Sequence, residues 1–460
     1  MHLNSGTDTV AHPLLTAPIG PALLRLAGPT TAVMVAQTLV SIAETYFVGR
    51  LGTEALAGFA LVFPLMMLMT MMSAGGIGGG IAAAMARAMG GGRTEDARAL
   101  VLHALVLAAG FALAFTLFAW TLAPSLYRLL GGSGGALAKA QIYSQVLFSG
   151  AAAGWAMFTV SAVLRGCGDA ATPGRFMLLA SLLQIPLSGV LTLGVGGWPG
   201  LGMAGPAASW IATASLSSLL MTRALWRGRL GFRPALLGIK LERRLFWEIL
   251  RVGLVSSFSA VTSNVTAMLV TGLVGRFGIA ALAGYGIGVR LEFMLVPLAF
   301  GVGAALTTMV GIAAGAGDWR RAVRVAWTGA LFAGAAIGVI GWVVAFFPAQ
   351  WAGVFSNDPD VIAATVSYIT RVAPFFFLFG IGMTLSFASQ GAGRMWPPFN
   401  AGVARMIVAT TGGYTAVEVL GGGLAEIFVA IAGGMITFGG LIAAPLAIRP
   451  WRARRGTVAA

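Results

Sequence analysis

Two carboxylates stand inside long apolar runs of this chain: Glu44 and Glu292. The chain has 14 acidic residues, and most of the others fall in short polar loops. A charge at the centre of a bilayer costs about 2.5–3.5 kcal/mol on insertion scales, so an acid kept there normally faces a cavity or a partner. Glu44 lies roughly 8 Å from the far end of its expected helix, and Glu292 roughly 16 Å into its own, at 1.5 Å of rise per residue. Such a group can bind H+ or Na+ on one side of a membrane and release it on the other. That chemistry makes both residues ion-coupling candidates.

Polar residues cluster near them. Gln37 and Ser41 precede Glu44 by seven and three residues, which places them on its side of a helix. Ser256, Ser259, Ser263 and Thr266 follow one another at spacings of three, four and three, with Asn264 beside them, forming a polar stripe on one helix face. Arg290 and Glu292 are two residues apart and point to different sides. Arg405, about seven residues into another span, is placed to meet Glu292 across helices. With Gln184 and Ser188 these are the cavity-lining candidates.

The elements that must hold these groups are helices in lipid. Of 460 residues 58% are hydrophobic and only 9% charged, with a mean hydropathy of +0.89. A water-soluble chain cannot bury that much apolar surface. Backbone polar groups in lipid must be satisfied within the segment, which selects helices. Twelve spans are predicted, at 23–48, 57–86, 99–123, 139–164, 174–194, 203–225, 248–275, 281–313, 324–347, 362–388, 397–417 and 423–446. The 66 glycines suit close helix packing, and the run Gly75-Gly76-Ile77-Gly78-Gly79-Gly80 predicts a backbone approach to a neighbouring helix.

The net charge of +15 does not point to nucleic acid once its sidedness is seen. Arg87, Arg93, Arg98, Arg165, Arg175, Arg320, Arg321, Arg324 and Arg394 fall in loops on one side, with the central linker and the tail. The opposite loops hold little beyond Arg50, Arg128, Lys139 and Arg276. This positive-inside pattern predicts a multi-pass inner (plasma) membrane protein with both termini cytoplasmic. The single cysteine, Cys167, permits no internal disulfide and no thiol metal site. His2, His12 and His103 are too scattered for a metal cluster, and no paired-carboxylate motif is present, so enzymatic chemistry is not expected.

A segment near residue 50 occurs twice. Val48-Gly49-Arg50-Leu51-Gly52 returns as Val274-Gly275-Arg276-Phe277-Gly278, 226 residues later. Arg98 and Arg324 keep that shift, and Arg165-Gly166-Cys167-Gly168 faces Gln390-Gly391-Ala392-Gly393 at 225. Two halves of six spans each put both starts on the same side, so the repeat is parallel and its axis lies along the membrane normal. The expected organisation is a cytoplasmic arm at 1–22, a six-helix bundle at 23–225, a basic linker at 226–247 on the inner leaflet, a second bundle at 248–446 and a basic tail at 447–460. The first 20 residues, with two prolines and Pro21 just beyond, read as a loose arm. At the 226 shift Glu292 corresponds to Met66 and Glu44 to Val270, so the two acids are not equivalent.

Several motifs together resemble the multidrug and toxic-compound extrusion (MATE) transporters. Glu44-Thr45-Tyr46-Phe47-Val48-Gly49 is similar to that family's first-helix motif, where Asp usually precedes Thr. Arg165-Gly166-Cys167-Gly168-Asp169 resembles its loop after helix four. Gln184-Ile185-Pro186-Leu187-Ser188 resembles its Asn-Ile-Pro-Leu-Asn run. Arg290-Leu291-Glu292 resembles an Arg-x-Glu element of helix eight. The resemblance spans about residues 20–450. It implies an all-α membrane protein of two six-helix bundles around a V-shaped central cavity. It also implies export of cationic or amphipathic organic compounds against H+ or Na+, with no cofactor. The chain departs from the family pattern: it lacks the Asp expected near Ser188, the Glu near Ser263–Asn264 and the Asp near Phe379–Gly380. A monomer in contact with membrane lipids is expected. The same scaffold also fits a flippase for a lipid-linked or other amphiphilic cargo.

Overall fold

The computed structural model describes residues 12–227, 234 and 238–452. Twelve helical rods account for the twelve expected spans. They are α1 (Ile19–Gly49), α2 (Thr53–Gly90), α3 (Thr94–Thr121), α4 (Gly134–Ser149 and Ala151–Gly166), α5 (Ala171–Leu193) and α6 (Gly205–Trp226). The second half repeats them as α7 (Arg243–Gly275), α8 (Ile279–Gly315), α9 (Trp319–Phe346), α10 (Pro359–Gly391), α11 (Trp396–Glu418) and α12 (Leu424–Ile448). Among the described residues nine helices are long and apolar enough to cross a membrane, and ten if the two parts of α4 count as one. The other two, α6 and α11, carry polar stripes. In α6 it is Ser209, Thr213 and Ser217, all buried.

The repeat is legible in backbone geometry. Gly52 and Gly278 open α2 and α8 with φ of 109° and 96°, a region that only glycine occupies without strain. Gly168 and Gly393, at φ 87° and 71°, close α4 and α10. Helix α4 bends by 48° at Gly150, and α10 breaks at the corresponding place, in the 3-10 turn Ala373–Phe375.

The shift is not constant. It is 226 between Gly52 and Gly278 but 225 between Gly92 and Gly317, and α3 and α9 begin at Thr94 and Trp319, again 225 apart. The first half therefore holds one extra residue within α2, where Met71–Gly76 forms a π-helical turn. One inserted residue is what a π-turn accommodates. Arg98 is accordingly equivalent to Val323; the 226 match of Arg98 with Arg324 is a coincidence of sequence.

The halves join at the end that carries most arginines and both ends of the described chain, here the basic end. Gly76 and Gly80 lie against α7, where a Cβ on Gly80 would stand 2.7 Å from the Ile249 carbonyl. Gly90 abuts Ile312, and Gly301 abuts Thr31. Hydrogen bonds cross the same seam. Gln390 Nε2 donates to Gly75 O at 3.0 Å and Thr308 Oγ1 to Arg165 O at 2.9 Å. Arg87 donates to Gly391 O at 3.1 Å and pairs with Glu248 at 3.6 Å. Arg244 grips Asp96 at 2.7 Å. His103 Nδ1–H donates to Ala99 O, leaving Nε2 to accept the Glu242 N–H, both at 2.8 Å. Beyond Met71, by contrast, the Thr53–Thr70 segment packs within its own half, on Gly134–Ser149 and α1. The halves diverge there and leave a V-shaped cleft.

The N-terminal segment is not loose where it is described. Leu14 and Leu15, like Trp319, pack against the core that includes Leu23, Val302 and Leu306, while Arg321 donates to Leu14 O at 2.8 Å. His12 contacts Cys167 O at 3.3 Å, and burial holds its imidazole below the usual value despite that bond. Burial, with Asp169 nearby, pushes the Cys167 thiol up to about 12, so it stays protonated and inert. Residues 1–11, most of the linker and 453–460 lie outside the described residues, and so does the expected seating of the linker on the leaflet.

The seam makes a prediction. Gly80→Leu should force the halves apart and cost about 1–3 kcal/mol through overpacking, visible as a lower unfolding temperature in detergent. Gly110→Ala, where an added Cβ meets nothing within 4 Å, should leave that temperature unchanged or raise it slightly.

Candidate functional site

In the first half, Glu44 lies on the buried face of α1 together with Val40 and Val48. Only 8% of its surface is exposed. Gln184 of α5 donates from Nε2 to Glu44 Oε1 at 2.9 Å, and Gln184 Oε1 accepts from Thr213 Oγ1 of α6 at 3.4 Å. Ser188 is fully buried one turn along α5, and its hydroxyl makes no hydrogen bond. Three helices thus hold one acid through a neutral amide, and among the described residues no cation pairs with it.

In the second half, half-buried Glu292 of α8 accepts a short hydrogen bond from the Tyr368 hydroxyl of α10. Tyr368 is fully buried and meets Tyr285 and Phe428 edge-on at ring distances of 5.6 and 5.2 Å. Arg405 of α11 is near enough for its charge to act on Glu292 and both tyrosines. It forms no ion pair with the acid, contrary to the sequence expectation. Its guanidinium lies over the rings of Phe379 and Phe438, 4.9 and 5.8 Å from their centroids. Stacking on two aromatic faces competes with pairing because a guanidinium is weakly hydrated and planar.

The repeat places a counterpart of the Glu292 pocket in the first half, at Tyr143 and Met66 rather than at Glu44. Tyr143, equivalent to Tyr368 at the 225 shift, donates to Met66 Sδ at 3.5 Å, and Met66 is the counterpart of Glu292. Phe59, the counterpart of Tyr285, packs on Tyr143 at 5.0 Å. The scaffold of aromatic pair and acceptor is thus present twice, with a thioether in one copy and a carboxylate in the other.

The remaining candidates fall in different places. Gln37 is half-buried and Ser41 exposed, and neither bonds Glu44. Ser256 accepts from Gln390 Nε2 at 2.8 Å and so belongs to the seam. Ser259 donates to Val255 O, Ser263 is exposed, and Thr266 is buried and bonded to Thr262 O. Asn264 reaches Met71 Sδ at 3.4 Å, where the cleft begins. Arg290 is exposed, 5.6 Å from the Phe355 ring. Sequence reasoning missed Thr213, although Ser209, Thr213 and Ser217 recur every fourth residue. It also missed Tyr368, although Tyr143 and Tyr368 stand one repeat apart in a chain with only 6 tyrosines.

Two six-helix repeats joined at one end, open at the other and each holding a membrane-embedded acid define a two-repeat membrane transporter. The MatE family profile matches residues 29–190 and 256–415, and the chain belongs to that family, whose members are transporters and not enzymes. The FAD transporter of Shewanella oneidensis is 26% identical over 362 residues, 78% of this chain and 79% of that protein. The probable multidrug resistance protein NorM of Deinococcus radiodurans is 29% identical over 393 residues, 80% and 82% of the two chains. Among solved structures, a MOP superfamily transporter from Pyrococcus furiosus superposes with a TM-score of 0.85 at 26% identity, over 95% of this chain and 97% of that one. An outward-facing multidrug resistance MATE family transporter gives 0.85 at 25% identity, over 96% and 98%.

The paired pockets can be tested against each other. Tyr368→Phe leaves the Glu292 carboxylate without its donor and should cost about 1–3 kcal/mol of stability. Tyr143→Phe removes only a weak bond to sulfur and should shift the unfolding temperature distinctly less in the same thermal scan.

Proposed function

We propose that this protein exports cationic or amphipathic organic compounds by alternating access, driven by inward flow of H+ or Na+ through Glu44 and Glu292. The observation that carries this reading is the placement of one acid in each half, each held by a neutral donor and none paired with a cation. Neither acid is in an ion pair, although the Arg405 charge acts on Glu292; a carboxylate so placed in the membrane interior is costly, and taking up H+ or Na+ discharges it. If the discharged state favours one arrangement of the halves and bound cargo favours the other, ion flow and cargo flow are coupled. The glycine seam at the basic end supplies the part that would open and close.

The arginine pattern supports an inner-membrane location with the basic end cytoplasmic. The cleft then faces outward. Bundles at 23–225 and 248–446, joined by the basic linker 226–247, are the moving units, and a single chain suffices. Relatives named as multidrug resistance proteins support small organic cargo. A second reading, carriage or flipping of a larger amphiphile, draws on the relative named as an FAD transporter.

Export of a fluorescent cationic dye from proteoliposomes, with pH and Na+ gradients imposed separately, tests the proposal. One gradient should drive export, and Glu44→Gln or Glu292→Gln should reduce the driven rate at least about tenfold. Wild-type rates in both variants, or export indifferent to either gradient, would overturn it.

A further inference from the structure

The first turns of α1 and α7 each pack in the core of the opposite half. Leu23 and Leu26 of α1 are buried in one cluster with Val302, Leu306 and Ala326 of α8 and α9. Leu245 and Ile249 of α7 are the counterparts of Ile19 and Leu23 at the 226 shift. They are buried in one cluster with Leu100 of α3 and Leu164 of α4.

A polar clasp at the very start of each helix repeats this exchange. Arg244 of α7 binds both oxygens of Asp96, at 2.7 and 3.1 Å, a fork that fits a carboxylate. For α1 the clasp is made on the residues that lead into the helix. Arg321 donates to Leu14 O at 2.8 Å and to Ala17 O at 2.5 Å. Asp96 and Arg321 are each the third residue of their helix, in α3 and α9. The repeat has therefore set one clasp in each half with the polarity reversed. An acid of α3 holds an arginine, and an arginine of α9 holds carbonyls.

The lead-in segment of α1, His12–Pro18, is bound to both halves. His12 Nδ1 accepts the Leu14 N–H at 3.2 Å, which leaves Nε2–H to donate to Cys167 O at 3.3 Å. A Cβ on Gly168 would stand 3.1 Å from Leu14 Cδ1. The segment thus runs from the end of α4 to the start of α9, across the end at which the halves meet and away from the cleft. Hydrogen bonds of this length do not survive a parting of their partners by a few ångströms. When the basic end opens, as alternating access requires, the segment has to release one half.

We propose that His12–Pro18 is a latch that bridges Cys167 and Arg321 and favours the arrangement with the basic end shut. The inference rests on the alternating-access reading and adds a device that biases its two arrangements.

The test reads opening directly, with neither gradient nor cargo. Ala83 of α2 is fully buried against Val252 and Met395 of the second half. In a Cys167→Ser background, Ala83→Cys supplies a single thiol that a water-soluble maleimide reaches when the basic end parts. Arg321→Gln should raise its alkylation rate about tenfold. Arg321→Lys, which still donates to a carbonyl, should raise it distinctly less. Removal of residues 1–17 should match Arg321→Gln, and the two changes together should add nothing further, because they break one contact. Unfolding temperatures establish that the variants are folded. Faster alkylation in these variants without gradient-driven dye export would uphold the latch and remove the export reading alone. Unchanged alkylation in folded Arg321→Gln and in the shortened chain, with faster alkylation in Gly80→Leu, would overturn the latch and leave alternating access standing. Additive effects of the truncation and Arg321→Gln would also overturn it. An inert thiol in every variant, Gly80→Leu included, would overturn both.

Discussion

The structure depends on how closely two helical halves can approach without help from water. Lipid tails are as apolar as leucine, so burying leucine between helices gains little in a membrane. What remains is dispersion at short range and hydrogen bonds made across the contact. Gly80 and Gly90 on α2 bring backbone against backbone, and Gly76 and Gly301 admit the hydroxyls of Ser257 and Thr31. The amide of Gln390 and the guanidinium of Arg87 then bind carbonyls that such closeness brings within reach. The seam is confined to the basic end. Both acids lie beyond it: Glu292 is nine residues before Gly301, roughly 14 Å along α8, and Glu44 is thirteen beyond Thr31 on α1. The same contact that closes one end therefore leaves the acids in the part of the molecule where the halves separate.

Symmetry supplies the frame and substitution supplies the chemistry. Tyr143 with Met66 and Tyr368 with Glu292 are one arrangement with two acceptors. Replacing a weak acceptor with a carboxylate turns a packing contact into a group that can bind an ion. In the first half the acid instead stands on α1, tied to Gln184 and Thr213. Each half thus has an acid, but on non-equivalent helices and with different donors: an amide for one and a phenol for the other.

Much of this was legible in the sequence because membranes write simple rules. Apolar length gave the twelve rods, arginine sidedness gave the common end, and the repeated Val-Gly-Arg-x-Gly placed the equivalent turns. Glu44 and Glu292 stood out because acids are rare in apolar runs. Their partners were partly hidden. Gln184 was nominable from a motif, but Tyr368 is 76 residues from Glu292, and local spacing says nothing about contacts of that range. The pairing of Arg405 with Glu292 failed because aromatic faces from α10 and α12 took the guanidinium first. The N-terminal arm read as loose from its prolines, yet Leu14 and Leu15 found the apolar core that Trp319 also packs on.

The extra residue in α2 has a consequence of its own. In a regular α-helix one added residue would turn everything after it by about 100° relative to its copy. The wider π-turn at Met71–Gly76 absorbs it, and below it the halves still answer each other: Gly90 abuts Ile312 as Gly315 abuts Arg87, and Gly166 meets Ala82 as Gly391 meets Thr307. Helix α8 runs as an unbroken α-helix over the matching stretch. A molecule assembled from duplicated parts thus keeps its two-fold frame and confines the difference between its copies to a single turn.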